Sequence, residues 1–148
     1  MIVHVFGAKF RSPFGLLCSI VTLSGYSHAA IEIEGKIYDT TFSRGKFAQS
    51  FDKNLFKGRS VLSFHCNDID NEKVKKFVSK HYNRKYDTKG LLMWPTGIND
   101  PKKWYCFEAV MECLRHCDKS IKAKNRYSAL DIINYCKSKD YYMTWQRE

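Results

Sequence analysis

The sequence has no apolar run that approaches the ~20 residues needed to span a bilayer. The nearest candidate for a signal segment, residues 14–23 after Arg11, carries Ser19 and Thr22. It also follows Ser12-Pro13, a pair typical of a helix N-cap and first helical residue. We therefore expect a cytosolic chain without Sec export, for which a cell-wall substrate would require release or another delivery route.

Internal repeats, low-complexity tracts and interdomain linkers are also absent from the sequence. A chain of 148 residues can bury roughly two-thirds of its unfolded surface in one core. The hydrophobic share of 44% argues against a disordered chain. We therefore expect a single domain over residues 1–148, and a monomer.

Acidic residues are scarce, with 15 Asp and Glu against 25 Lys and Arg, which gives a net charge of +10. Such a surface favours an anionic partner, whether nucleic acid, anionic lipid or an acidic cell-wall polymer. The plainer interpretation is a solvated surface that keeps the protein in solution. The lysine-, asparagine- and tyrosine-rich composition is compatible with a phage or mobile-element product.

The six cysteines lack the paired short spacings of structural zinc sites, although His116 stands between Cys113 and Cys117. A chain of this length without an export signal has no need of disulfides. We therefore expect reduced thiols, no metal and no cofactor.

The first half of the sequence predicts strands around one apolar helix. Residues 1–8 alternate as a strand ended by Gly7, and residues 13–23 form an apolar helix that Gly25 closes with a positive φ. Residues 27–33 and 36–42 then predict a hairpin around Glu34-Gly35, and residues 60–66 another strand.

The second half predicts helices. Residues 70–82 have the pattern of an amphipathic helix, and residues 83–103 of a loop with one short helical turn at 89–94. A helix follows over about 103–117, with Cys106, Val110, Cys113 and Cys117 on one stripe, and Ser128 caps a last helix over 129–137 before a polar aromatic tail. Helices mixed with mostly consecutive strands predict an α+β domain on an antiparallel sheet.

His28 on the first hairpin strand and Cys106 early in a helix are the two halves of a cysteine nucleophile. If Glu34-Gly35 forms the turn, position 33 pairs with 36, and His28 lies diagonal to Asp39 on one face. Asp39 could then accept a hydrogen bond from the imidazole and orient it. Thr41, Thr40 and Glu32 are alternatives for this third position.

Four segments resemble the circularly permuted NlpC-type branch of the papain-like superfamily. They are residues 22–31 (TLSGYSHAAI), 35–39 (GKIYD), 86–87 (YD) and 105–108 (YCFE). This branch includes YiiX-like bacterial proteins and lecithin:retinol acyltransferase relatives. The resemblance covers roughly residues 1–136 and implies a permuted papain-like fold, a Cys106–His28–Asp39 site, and cell-wall peptides or lipid acyl groups as substrates.

The sequence departs from that pattern in three places. Phe107 replaces the usual small residue after the nucleophile and is expected to narrow the pocket or alter an oxyanion contact. Asp39 stands where many relatives carry glutamate, histidine or asparagine. Asp100-Pro101 is typical of an N-cap and first helical residue, so either Cys106 lies in the second turn, or a separate turn precedes its helix.

The leading hypothesis is therefore a cysteine hydrolase or acyltransferase whose oxyanion is held by the Cys106 N–H and a nearby donor, with Tyr26 as one candidate. Tyr26, Tyr105 and Trp104 are candidates to line the substrate groove. The rival is a non-catalytic module of the same fold, or a protein whose basic surface binds nucleic acid.

Overall fold

An antiparallel sheet forms the centre of the computed structural model, which describes residues 1–8, 13–52 and 54–146. Within these ranges the sheet has six strands in the spatial order β4-β3-β2-β1-β5-β6. All neighbouring strands are antiparallel. The strands are β1 (Ile2–Gly7), β2 (Tyr26–Ile33), β3 (Lys36–Thr41), β4 (Lys46–Gln49), β5 (Val61–His65) and β6 (Tyr142–Gln146).

Five α-helices accompany the sheet in the described ranges, so the α+β class is confirmed. They are α1 (Pro13–Val21), α2 (Asn71–His81), α3 (Thr88–Leu92), α4 (Cys106–Cys117) and α5 (Ala129–Ser138), with a short 3₁₀ turn at Trp94–Thr96. Helix α4 packs on β2 and β3, and α2 packs on α4. In the described ranges, each helix is too short or too polar to cross a membrane.

The apolar stripe of α4 supplies much of the core, as its 3.6-residue spacing predicts. Cys106, Val110 and Cys113 are buried, while Cys117 at the helix end is half-buried. The opposing sheet face contributes side chains that are also withdrawn from water, among them Val3, Val5, Ala29 and Ile31. This packing fixes α4 over the middle of the sheet.

The β2–β3 hairpin has the register predicted from its turn. Ile33 pairs with Lys36 and Ala30 with Asp39. Glu34 and Gly35 have φ angles of 51° and 72°, the two positive values that a type I′ turn requires. A one-residue slip would have moved Asp39 to the other face of the sheet, so the turn decides which side chains meet.

Two strands lie where the sequence pattern gives none. Strand β4 has only four residues, too few for a clear alternation. Strand β6 occupies the segment expected as a polar aromatic tail. It pairs with β5 at the sheet edge, and its Tyr142 and Trp145 are both exposed, so no buried face marks it as a strand.

The end of α1 differs from the prediction. The helix ends at Val21, and Leu23 takes the left-handed conformation with φ of 50°. The Ser24 N–H bonds the Ser19 carbonyl at 3.2 Å, which satisfies a carbonyl of the last turn. Gly25 also has a positive φ, but it belongs to the entry into β2. Ser12, the expected N-cap, lies outside the described residues.

Helix α4 begins at Cys106 with Tyr105 as N-cap, not at about residue 103. The Asp100 carboxylate accepts a hydrogen bond from the Lys102 N–H at 2.9 Å, which makes a local turn. Such a turn uses the same residue types as a helix N-cap, so Asp100-Pro101 resembled a helix start. Of the two alternatives for Asp100-Pro101, the one that places Cys106 in the second turn is wrong. A separate turn precedes the helix, and Cys106 is its first residue.

Asp87 is a fully buried carboxylate that joins the segments before α4. Its Oδ1 accepts from the Gly90 N–H and its Oδ2 from the Asp100 N–H, both at 2.9 Å. Its own N–H bonds the Trp104 carbonyl at 3.1 Å. Asp87 therefore caps α3 and fixes the chain that leads to Cys106.

Gly90→Ala should lower the free energy of unfolding by about 1 to 3 kcal/mol, the usual cost of overpacking. A Cβ at position 90 would lie 2.1 Å from Asp87 Oδ2 and would displace the carboxylate. That carboxylate accepts hydrogen bonds from the backbone N–H groups of residues 90 and 100. Urea denaturation measures the change. The neighbouring exposed variant Lys89→Ala is the control and should be nearly neutral; equal stabilities of the two variants would contradict the proposed constraint.

Candidate active site

His28 and Asp39 form a hydrogen-bonded pair across β2 and β3. His28 Nε2 lies 2.8 Å from Asp39 Oδ2. Because an ionised carboxylate only accepts hydrogen bonds, Nε2 carries the proton, and Nδ1 of the neutral ring keeps its lone pair. The contact predicted from the hairpin register is confirmed.

Asp39 is held ionised although its side chain is fully buried. Burial favours the neutral carboxyl, but the contacts with His28 and Arg44 outweigh it and lower the pKa of Asp39. Arg44 Nη2 donates to Asp39 Oδ1 and, at 2.6 Å, to the Asp39 carbonyl. Arg44 was missed in the sequence because its approach depends on the tight β3–β4 turn, where the Gly45 N–H bonds the Thr41 carbonyl.

The alternative third residues make other contacts. Glu32 Oε2 lies 3.0 Å from His4 Nε2. Thr41 Oγ1 accepts from the Arg44 N–H at 3.3 Å. Thr40 is fully buried, and its Oγ1 has no hydrogen-bond partner in the described part of the chain. Asp39 is thus the one of these candidates for which a contact with His28 is seen.

Cys106 is the first residue of α4 and is only 3% exposed. Burial raises the pKa of its thiol, and the proximity of Cys18 and Asp39 raises it further. The backbone N–H groups of Ala29 and Phe107 donate toward the sulfur and act in the opposite direction. The net effect of burial, neighbouring groups and backbone N–H groups is a raised pKa. The thiol is therefore protonated at neutral pH, and a thiolate forms only when a base takes the proton.

Cys106 and His28 line the same cavity, which has a volume of 330 Å³. The other side chains of its wall are mostly polar: Ser27, Thr40, Thr41, Phe42, Ser43, Asp52, Leu55, Arg59 and Tyr86. Strand β2 supplies the imidazole and the N-terminus of α4 supplies the thiol. His28 lies beside Phe6 on the sheet face opposite Ala29 and Ile31, which pack with Cys106, so the cavity is lined from both faces of the sheet. A thiol and an imidazole from distant parts of the sequence therefore line one solvent-accessible space.

Two buried polar atoms in this cavity have no hydrogen-bond partner among the described residues. They are Thr40 Oγ1 and Arg59 Nε. The Arg59 guanidinium lies 5.3 Å from the Phe6 ring centroid, and burial lowers its pKa. Buried polar groups are nearly always paired, so these two atoms are open to a hydrogen bond with an ordered water or with a bound ligand. In the sequence, Thr40 is indicated only as an alternative partner of His28, and no motif marks Arg59.

The three aromatic candidates lie elsewhere. Tyr105 is buried, and its hydroxyl donates to the Tyr127 carbonyl at 2.8 Å. Trp104 stacks on Phe77 with ring centroids 5.4 Å apart. Tyr26 packs against the core, and all three are outside the wall of the Cys106 cavity. The structure thus brings together Cys106, His28 and Asp39 but not these aromatic residues.

Phe107 does not narrow the cavity. Its ring is fully buried and makes an edge contact with Tyr105 at 6.4 Å, on the core side of α4. The backbone N–H of Phe107 still donates toward the Cys106 sulfur. The departure from the small residue of the NlpC-type pattern is therefore accommodated in the core.

Glu108 ties the first turn of α4 to the chain before it. Its Oε2 accepts from the Tyr105 N–H at 3.3 Å and its Oε1 from Asn99 Nδ2 at 2.8 Å. Burial nevertheless raises the pKa of Glu108 to about 7. The carboxyl therefore changes charge near neutral pH while it holds the N-terminus that carries Cys106.

Comparisons with protein-family models, curated proteins and solved structures found no match to this chain. The functional argument therefore depends on the geometry of the site. In the described ranges, no three His, Cys, Asp or Glu side chains converge as a metal-ion site. All six cysteines carry free thiols.

Glu108→Gln should remove a pH dependence of folding stability. The folded-state pKa is raised from 4.5 to about 7, so the folded protein binds more protons between these values. The stability of the wild type relative to Glu108→Gln should fall by about 2 to 3 kcal/mol as pH rises from 4.5 to 8, and recover at acid pH. Urea denaturation across this range measures the difference. Glu72→Gln, an exposed change, is the control, and a pH-independent difference for Glu108→Gln would contradict the raised pKa.

Proposed function

We propose that this chain is a cysteine hydrolase or acyltransferase with a permuted papain-like, NlpC-type fold. Cys106 attacks the carbonyl carbon of an amide, ester or thioester, His28 takes and returns the proton, and Asp39 orients His28. The observation that carries the proposal is the shared cavity, whose wall contains both the Cys106 thiol and an imidazole that is bonded to a buried carboxylate.

The proton of the Cys106 thiol passes to His28 Nδ1 as the C–S bond forms and the carbonyl electron pair moves to oxygen. The imidazolium is stabilised by the Asp39 carboxylate and then protonates the leaving group, whose bond to carbon breaks. A thioester on Cys106 remains. Water or an acyl acceptor attacks it, His28 takes the acceptor proton, and that proton returns to the cysteine sulfur.

This scheme starts from a protonated Cys106 thiol. Burial disfavours the Cys106 thiolate, and the nearby Asp39 carboxylate disfavours it further. The position at the start of α4 stabilises negative charge there, but does not overcome burial. Proton transfer therefore accompanies the attack, and His28 is essential as a base as well as a partner.

The backbone N–H of Cys106 and the hydroxyl of Thr40 are the proposed oxyanion donors. N–H groups in the first turn of a helix have no acceptor within the helix. Thr40 Oγ1 is buried in the cavity wall and unpartnered among the described residues, which suits a donor reserved for a ligand. Thr40 replaces Tyr26, which lies outside this wall.

The border of the cavity favours a lipid acyl group over a cell-wall peptide. Helix α1 lines the cavity through Gly15 and leaves Leu16 and Ile20 47% and 59% exposed. Phe42, in the cavity wall, is 53% exposed. An apolar border next to the nucleophile can bind an acyl chain, whereas a wall peptide offers mainly polar groups.

A non-catalytic module of the same fold is the second candidate, because a buried cysteine with a raised pKa is the form expected of an inert thiol. Its basic surface would then bind an anionic partner such as nucleic acid. The two candidates differ in the reactivity of Cys106, which can be measured directly.

Cys106 should be the cysteine most rapidly alkylated by iodoacetamide at pH 7, because His28 can take its proton. His28→Ala should slow this reaction at least about tenfold. Alkylation of Cys106 should then require alkaline pH, since burial raises the thiol pKa. Mass spectrometry of the native protein follows all six cysteines. His65→Ala, on β5, is the control and should leave Cys106 unchanged. A Cys106 that reacts no faster than Cys113, or is indifferent to His28, would support the non-catalytic candidate.

Leu16→Ser/Ile20→Ser should reduce kcat/KM for p-nitrophenyl decanoate by about three- to tenfold and hardly change it for the butyrate, because only the longer chain reaches α1. Leu130→Ser, an exposed apolar residue on α5, is the matched control. Cleavage of a wall-derived peptide with no activity on either ester would instead assign the peptide class.

A further inference from the structure

A second cavity, of 450 Å³, lies against the part of α4 that carries Glu112 and His116. Its walls come from the end of α2, the segment before α4, α4 itself and the loop after it. Neither Cys106 nor His28 belongs to this wall. Six of its side chains are permanently cationic: Lys80, Arg84, Lys103, Arg115, Lys119 and Lys124.

Three of these cations are already paired. The ion pairs are Lys103 with Asp100, Arg115 with Glu112, and Lys124 with Asp131. Within the described part of the chain, Lys80 and Lys119 are in no salt bridge, and both are exposed. The remaining acidic side chain of the wall, Glu108, has its pKa raised to about 7 by burial and is only partly charged. The cavity therefore has an excess of positive charge.

The two histidines of the wall respond to this excess. Burial and the neighbouring Arg84 and Lys80 lower the pKa of His81. Burial and nearby lysines, Lys119 first among them, lower the pKa of His116. Both rings are therefore mainly neutral at pH 7, and an anion in the cavity would favour their protonation.

Arg84 presents a buried donor without a partner. Its Nη2 donates to the Pro101 carbonyl, its Nη1 lies 3.4 Å from His81 Nδ1, and its guanidinium lies 3.8 Å from the Trp104 ring centroid. These contacts fix the side chain, yet its Nε is buried and has no partner among the described residues. A fixed guanidinium with an unused N–H suits the oxygens of a phosphate group.

The aromatic residues of the cavity do not offer a stacking surface. The Trp104 ring stacks on Phe77 with an interplanar angle of 7°, and the Arg84 guanidinium lies 3.8 Å from the indole centroid. Only 6% of Trp104 is exposed. A nucleobase therefore has no free indole face to stack on, as single-stranded nucleic acid sites provide. Recognition in this cavity depends on charge.

We propose that this cavity binds a compact ligand that carries two or more phosphate groups, with Arg84, Lys80 and Lys119 as its contacts. Two separated lysines and a fixed arginine can hold adjacent phosphates better than a single one. The volume falls in the range of small-molecule pockets. This site is separate from the proposed catalytic cavity and does not depend on the activity of Cys106.

Isothermal titration calorimetry of the full chain with inorganic tripolyphosphate tests the proposal. We expect saturable one-to-one binding, with affinity falling from tripolyphosphate to pyrophosphate to orthophosphate and with added salt. Lys80→Ala/Lys119→Ala should weaken binding at least about tenfold. Lys36→Ala/Lys137→Ala removes the same charge from exposed positions outside the cavity and should change affinity less than about twofold.

Absence of saturable binding, or an equal loss in both double variants, would overturn the proposal. Another outcome is that a single-stranded oligonucleotide binds the wild type more tightly than tripolyphosphate does and loses the same affinity in both double variants. That result would instead indicate a general nucleic-acid surface. NMR titration of the imidazoles gives an independent measurement. Bound tripolyphosphate should raise the pKa of His81 and His116, and unchanged values would also overturn the assignment.

Discussion

The buried carboxylate of Asp87 decides where α4 begins, and both cavities depend on that position. Asp87 accepts from Gly90 and Asp100 and bonds Trp104 through its own N–H. The segment that it fixes has the Cys106 cavity at its end and the basic cavity along its side, where Asn99 and Trp104 form part of the wall. One carboxylate that cannot move without orphaning several backbone donors thus determines the shape of two ligand-accessible spaces.

The charges around Cys106 act in opposite directions. Asp39 keeps the imidazole of His28 oriented and would stabilise its protonated form, but the same carboxylate disfavours a thiolate nearby. Arg44 partly resolves this conflict because it neutralises Asp39 from the side away from the ring, through Oδ1. In the proposed reaction, Asp39 stabilises the imidazolium that forms while negative charge develops on sulfur or on the carbonyl oxygen, which would stabilise the transition state more than the resting state.

The sequence predicts the hairpin and its site better than the elements around them, for a physical reason. Glu34-Gly35 fixes the register by local backbone geometry, so Asp39 and His28 could be paired without knowledge of the rest of the fold. The start of α4 could not be predicted, because the Asx turn of Asp100 and a helix cap use the same residue types. Arg44 and β6 depend on non-local pairing, and the exposed side chains of β6 carry no buried periodicity.

The net charge of +10 is distributed unequally between the walls of the two cavities. At the Cys106 cavity the cation of the wall, Arg59, is partly buried beside Asp52 and Phe6, so its charge is balanced by a carboxylate of the same wall. At the basic cavity the cations repel one another, and burial together with these neighbouring cations lowers the pKa values of His81 and His116. Water and salt screen charge in a concave wall less than the same charge on a convex surface, so an anion bound in the wall interacts with it more strongly. Six of the 25 lysine and arginine side chains of the sequence line this one cavity, which is why the phosphate site is proposed there.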